Sequence, residues 1–171
     1  MMARYASYEE FTELIRHRFA NASVTLRELF ARLVFNILCG NTDDHARNHA
    51  AFWDGETLQL TPAYDICPQG RTGHEASQAM LIAGDDRMSH VSSCLNAAGH
   101  FLLSRAEAIV IVEHQHTCIM DHWDAVCADA GLTDTDRAFL WGRQFLNPFA
   151  FEGLDGDAAA LKARADGARA R

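Results

Sequence analysis

One stretch constrains this chain more than any other: a helix-forming segment that ends at a glycine and runs straight into a dense cluster of Asp and Asn. Leu26, Leu29, Phe30, Leu33, Val34 and Ile37 recur at the spacing of one face of a core-packed helix, predicted from about Thr25 to Cys39. Gly40 follows and suits a left-handed cap. The chain then reads Asn41-Thr42-Asp43-Asp44-His45-Ala46-Arg47-Asn48. A rigid element therefore stops where the polar cluster begins.

The rest of the chain reads as mostly helical. Ser7 and Glu10 form a capping box for a helix from about Tyr8 to Phe19. Glu28 and Arg32 are expected to be an exposed i,i+4 pair. Asn48 to Trp53 is expected to extend as a strand, turn at Asp54-Gly55, and return over Thr57 to Leu60. Pro62 keeps Thr61 extended. Residues 67–78 read as a loop and Met80 to Ala83 as a short strand. Ser104 and Glu107 cap a long helix to about Ala130, lined by Ile109, Val112, His116, Ile119, Trp123 and Val126. A last helix is expected from about Asp134 to Leu146, stopped by Asn147-Pro148. The expected fold class is mostly α with a small β-hairpin element. Residues 1–153 form one domain, and 154–171 an Ala/Arg-rich tail that is frayed or disordered.

Composition sets limits. The chain has 171 residues, 49% of them hydrophobic, which is enough for one domain with a substantial core. A net charge of −8 argues against direct, broad binding to nucleic acid, which needs clustered Lys and Arg. The five cysteines are odd in number and form no CxxC pair, so reduced, mostly buried thiols in the cytoplasm are expected. No apolar run approaches the roughly 20 residues that span a bilayer, and Met1 to Ser7 lack a signal peptide's apolar core.

The chemistry of the cluster follows from spacing. Asp43 and Asn48 lie five apart, as do the proton-accepting Asp and the magnesium-binding Asn of a kinase catalytic loop. Asp65 lies past a hairpin, where a second magnesium ligand would stand. Magnesium takes oxygen ligands and needs few from the protein, so one amide oxygen and one carboxylate suffice. His45 and Arg47 lie between base and ligand, placed to touch nucleotide phosphates. The bland alternative stays open: Asp and Asn are common after helices because they satisfy free backbone groups there.

Asn41 to Asn48, followed by Leu60-Thr61-Pro62-Ala63-Tyr64-Asp65-Ile66, resembles the signature of the HipA family of bacterial serine/threonine kinases, toxins of toxin–antitoxin pairs. The resemblance runs from about Ser7 to Gly153 in the order of elements. It is most specific over residues 36–66, and Met80 to Arg87 is similar to the family's short strand and turn. It implies a kinase-like C-terminal lobe. It implies Asp43 as catalytic residue, with His45, Ala46, Arg47, Asn48, Tyr64 and Asp65 on ATP. Asn48 and Asp65 would hold Mg. It also implies a protein substrate, such as an aminoacyl-tRNA synthetase, and an antitoxin partner with a DNA-binding domain. Arg47 departs from the family's frequent Lys, His49 from an aromatic residue, and Cys67 from a small one.

A kinase also needs a glycine-rich loop and a lysine on the phosphates. The chain has no G-x-G-x-x-G and no G-x-x-x-x-G-K-[ST]; Gly70-Arg71-Thr72-Gly73 is too short and comes too late. Lys162, in the tail, is the one lysine among 15 basic residues. The expectation is a C-terminal lobe, truncated, split or excised, that is inactive without an N-terminal lobe in trans.

Two rival readings stand beside it. Asp43, Asp44, His45 and His49, with His114 and His116 elsewhere, suggest a metal-dependent hydrolase if His45 and His49 share a helical face. A non-catalytic interaction module could bind a partner lobe or antitoxin through Leu102, Phe139, Trp141 and Phe149, although burial in the core is the expected fate of each.

Overall fold

The first helix begins where Ser7 Oγ accepts the backbone N–H of Glu10 at 3.0 Å. The computed structural model describes residues 6–71 and 73–168. Met1 to Tyr5, Thr72 of the Gly70–Gly73 run and residues 169–171 of the tail lie outside them. Helix α1 spans Tyr8–Arg18, with Glu9 and Glu10 at its start and Arg16, His17 and Arg18 at its end, the favourable arrangement for the helix dipole. Helix α2 spans Ala22–Cys39, three residues longer at its start than the apolar pattern marks, with Asn21 as its flanking residue.

The six apolar residues of the α2 pattern are all buried, as the pattern predicts. Each such side chain contributes roughly 1.5–3 kcal/mol relative to exposure. Helix α1, helix α3 (Val91–Ala97), the 3₁₀ turn Ala98–Phe101 and helix α4 (Arg105–Asp129) pack around α2. The capping box of Ser104 and Glu107 forms at the start of α4. Val112, His116 and Ile119 face inward from that helix, but Val126 is 59% exposed, and it is Cys127 beside it that is buried.

The β element is a two-stranded antiparallel hairpin, β1 (Ala51–Trp53) and β2 (Leu58–Leu60), in the register Ala51↔Leu60, Phe52↔Gln59, Trp53↔Leu58. Asp54 Oδ1 accepts the N–H groups of Glu56 and Thr57, and Gly55 turns at φ 106°. The expected strand from Asn48 starts later, because Ala46–Asn48 forms a single 3₁₀ turn. Met80 to Ala83 makes only isolated bridges, Ser7 with Leu81 and Ala83 with Asp86, rather than a strand.

The C-terminal part departs from the sequence pattern most. Helix α5 is Asp134–Leu140 and stops six residues short of Leu146. Gly142 turns at φ 73° and donates to the Phe145 carbonyl. That redirection lets Leu146 donate to the Leu38 carbonyl at 2.8 Å, tying this segment to the end of α2. Trp141 and Phe145 pack on Trp123 of α4, with ring centroids 4.8 and 5.0 Å away. Phe149 is buried, whereas Leu102 and Phe139 are exposed. Where the composition of the tail leaves disorder open, Ala159–Ala168 forms helix α6, with Leu161 and Ala165 buried. Cys39, Cys94 and Cys127 are buried; Cys67 and Cys118 are exposed, and all five are free thiols. No helix among the described residues is long and apolar enough to cross a membrane.

Gly40 is where these elements meet. Its φ is 74°, and a Cβ there would stand 2.7 Å from the backbone oxygen of Gln144. Gly40→Ala is therefore expected to lower stability by about 2–4 kcal/mol, combining a left-handed backbone with displacement of a neighbouring chain. Urea unfolding measures it; an unchanged midpoint would show that the two segments separate freely.

Candidate functional site

Gly40 caps α2, with its N–H on the carbonyls of Asn36 and Ile37. Asn41, also buried, doubles back onto the helix: its N–H donates to the Asn36 carbonyl and its Nδ2 to Asn36 Oδ1 at 3.0 Å. The Thr42 carbonyl accepts the N–H of Ala79. The polar loop thus leaves the helix in a fixed direction.

A second segment crosses this loop as a strap. At one end, Arg32 Nη2 donates to the Thr61 carbonyl at 2.7 Å while its Nε donates to Glu28 at 2.8 Å. Arg32 is only 9% exposed, so the expected surface pair is instead a half-buried anchor. At the other end, Gln69 N–H donates to the Gly40 carbonyl at 3.0 Å. Between these ties, Tyr64 Oη donates to the Arg47 carbonyl at 2.6 Å. Asn48 Nδ2 donates to Asp65 Oδ2 at 2.5 Å. Asp65 takes φ 57°, a left-handed conformation rare for a residue with a side chain, of the kind that gathers at functional sites.

Among the sequence-predicted residues, Asn48 and Asp65 meet directly. Tyr64 and Arg47 meet through the backbone bond just described. Arg47 Nη2 lies 3.2 Å from His45 Nε2, and His45 donates its backbone N–H to Asn48 Oδ1 at 3.1 Å. Ala46 is exposed in the 3₁₀ turn. Asp43 is exposed on the same loop, and its carboxylate makes no hydrogen bond or ion pair to another described residue. A base that must take a proton from an incoming hydroxyl needs such open lone pairs. A cleft of about 300 Å³ opens beside the loop, lined by Ser7, Glu10, Phe11, Leu14, Ala46 and His49 among others.

The donor set fits magnesium. Asp65 offers an exposed carboxylate, and Asn48 Oδ1 retains a lone pair beyond its bond to His45. A zinc-type cluster finds no such support: no three His, Cys, Asp or Glu side chains converge among the described residues. His45 and His49 flank the 3₁₀ turn instead of sharing a helical face, and His116 is buried against Phe151.

Sequence reading missed the support beneath the loop. Asp44 is 3% exposed and accepts the hydroxyl of Tyr8, itself fully buried in α1. His49 Nε2 stands 3.2 Å from the other Asp44 oxygen. Burial, and then the charge of Asp44, raise the Tyr8 hydroxyl pKa well above its ordinary value of 10.0. Nothing local in the sequence marks a tyrosine 36 residues away as a partner.

Comparison with known proteins bears on this arrangement. The family described as the HipA-like C-terminal domain matches residues 1–123. No curated protein matches the chain. A solved structure of HipA from Shewanella oneidensis MR-1, in a toxin–antitoxin complex with HipB and operator DNA, is similar in fold: TM-score 0.60, 18% identity, covering 95% of this chain and 34% of that one. The chain thus spans about a third of the length of that relative.

Tyr8→Phe tests the buried support. Removing the hydroxyl leaves Asp44 short of a donor and is expected to cost about 1–3 kcal/mol at neutral pH. Because the folded pKa of Tyr8 is raised, the fold holds that proton more tightly than the unfolded chain does. The advantage is complete below pH 10.0, the ordinary value, and declines as pH rises above it. Urea titrations should therefore show a gap between the proteins that narrows above that pH; equal stabilities at neutral pH would contradict the support.

Proposed function

This chain belongs to the family of HipA-like C-terminal domains, and on that premise we propose that it carries the catalytic machinery of a protein serine/threonine phosphotransferase. Asp43 is the base, Asn48 and Asp65 hold magnesium, and His45, Ala46, Arg47 and Tyr64 contact ATP. The observation that carries this reading is the meeting of Asn48 and Asp65 at 2.5 Å, from segments 17 residues apart, on the loop that exposes Asp43.

In this reading Asp43 orients the acceptor Ser or Thr hydroxyl and takes its proton. The hydroxyl oxygen bonds to the γ-phosphorus as the bond to the ADP oxygen breaks. A positioned general base of this type contributes roughly 10²- to 10⁴-fold. Magnesium would neutralise charge on the phosphoryl oxygens. Arg47 adds a cation at the phosphates, and the strap from Thr61 to Gln69 holds Asp65 over Asn48. Since the sequence carries no glycine-rich phosphate loop and its one lysine is Lys162, the reading includes weak nucleotide binding and little transfer by this chain alone. An N-terminal lobe, in the same polypeptide or supplied in trans, would complete it.

The same reading places the protein in the cytoplasm as a toxin of a toxin–antitoxin pair, with a HipB-like DNA-binding antitoxin as partner and a protein substrate of the aminoacyl-tRNA synthetase class. A second reading, a non-catalytic interaction module, is favoured by one observation: Phe52 and Trp53 of the hairpin are 62% and 57% exposed.

Calorimetry with magnesium and ATP separates the two. The phosphotransferase reading expects weak, chelator-sensitive binding that Asn48→Ala and Asp65→Ala each reduce at least tenfold, about the effect of losing one metal ligand or its support. Asp43→Ala should retain binding but abolish phosphate transfer by the assembled two-lobed enzyme. Turnover retained in that variant would reassign the base, and absence of binding by the unaltered chain would favour the module.

A further inference from the structure

Asp44 directly follows the proposed base, and His49 directly follows the proposed cation ligand Asn48. Their side chains meet. His49 Nε2 lies 3.2 Å from Asp44 Oδ1, and the two side chains are each 4% exposed. The other Asp44 oxygen takes the Tyr8 hydroxyl. The His49 ring packs edge-on against Tyr8 and Phe11, at centroid distances of 5.7 and 5.2 Å. One contact therefore joins the two ends of the 43–48 segment, and α1 holds it from beneath.

We propose that Asp44 and His49 are positioning residues that clasp the two ends of this loop, fixing the separation between the Asp43 carboxylate and the Asn48 amide. The inference rests on the phosphotransferase reading of the site. Its physical ground is cost. An apolar ring would fill the space between Tyr8 and Phe11 without burying nitrogen atoms, and desolvating polar groups is unfavourable unless they are paired. Here both nitrogens of His49 are buried, and neither has a hydrogen bond of good geometry among the described residues. What the imidazole has, and an apolar ring lacks, is its approach to Asp44. Inside the clasp, the Asn48 N–H donates to the His45 carbonyl at 2.8 Å and the His49 N–H to the Ala46 carbonyl at 3.3 Å. The His45 N–H on Asn48 Oδ1 and the strap, through Tyr64 and Asp65, hold this small turn from within and from the open side, and the Asp44–His49 contact is the tie between its two flanks on the buried side. Phosphoryl transfer depends on such alignment more than on covalent work by the protein.

The test uses the full chain with Asp44→Asn, His49→Phe and the double variant. His49→Phe retains a ring against Tyr8 and Phe11 and removes the pairing alone. Two quantities are measured: calorimetric affinity for magnesium–ATP, and hydrogen exchange of the Asn48 amide. Each single variant is expected to lose about tenfold in affinity, the usual effect of removing support behind a metal ligand. The double variant should lose no more than the worse single, because the Asp44–His49 contact is broken in all three while the amide oxygen left at position 44 by Asp44→Asn still accepts the Tyr8 hydroxyl. The Asn48 amide should exchange faster in each. Losses that multiply, unchanged affinity, or an Asn48 amide as protected as in the parent chain would overturn the clasp. If the parent chain binds no magnesium–ATP while Asn48 still loses protection, the loop support stands and the phosphotransferase reading is what fails.

Discussion

The candidate site depends on a single backbone position, Gly40. Its left-handed φ of 74° ends α2 and releases the polar loop. Its carbonyl accepts Gln69 N–H, closing one end of the strap that carries Asp65. Its missing Cβ lets the Gln144 backbone approach to where a side chain would collide. Helix, loop, strap and C-terminal segment are all referred to one point. A shift of about an ångström there would move every group that the proposed chemistry needs to align.

The strap turns that point into a site. A loop fixed at one end samples many positions, and fixing the other end removes most of them. Arg32 supplies the second tie, at Thr61, using a guanidinium that is almost wholly withdrawn from solvent. With both ends held, Asp65 can sustain a backbone conformation that an untethered residue would leave. The strain is local and the restraint is distributed, which is how functional sites commonly hold unfavourable geometry. Asp43 stands apart from this restraint, exposed and without a partner among the described residues, which leaves its lone pairs open for the proton-accepting role proposed for it.

Much of this was legible in the sequence because it is local. Ser7, Ser104 and Gly40 announced helix ends, Asp54-Gly55 announced the hairpin, and six apolar residues drew the buried face of α2. The five-residue interval between Asp43 and Asn48 and the position of Asp65 mark two segments, which the structure joins at Asn48 and Asp65. What stayed hidden was long-range. Asp44 reads as a polar loop residue or, with His45 and His49, as a metal ligand, until Tyr8, 36 positions earlier, is seen to donate to it. Arg32 reads as a surface partner of Glu28 until Thr61 takes its other arm. Helix α5 reads as six residues longer than it is, since its apolar pattern continues through Trp141 and Phe145, which pack on Trp123 after the helix has turned away.

In the proposed site, Asn48 and Asp65 form one cation-binding locus. Manganese can replace magnesium as a paramagnetic probe in nuclear magnetic resonance of the chain with ATP present. At substoichiometric manganese, resonances of residues 45–48 and 64–66 are expected to broaden together before any others. Broadening confined to scattered surface carboxylates, with both segments left sharp, would contradict it.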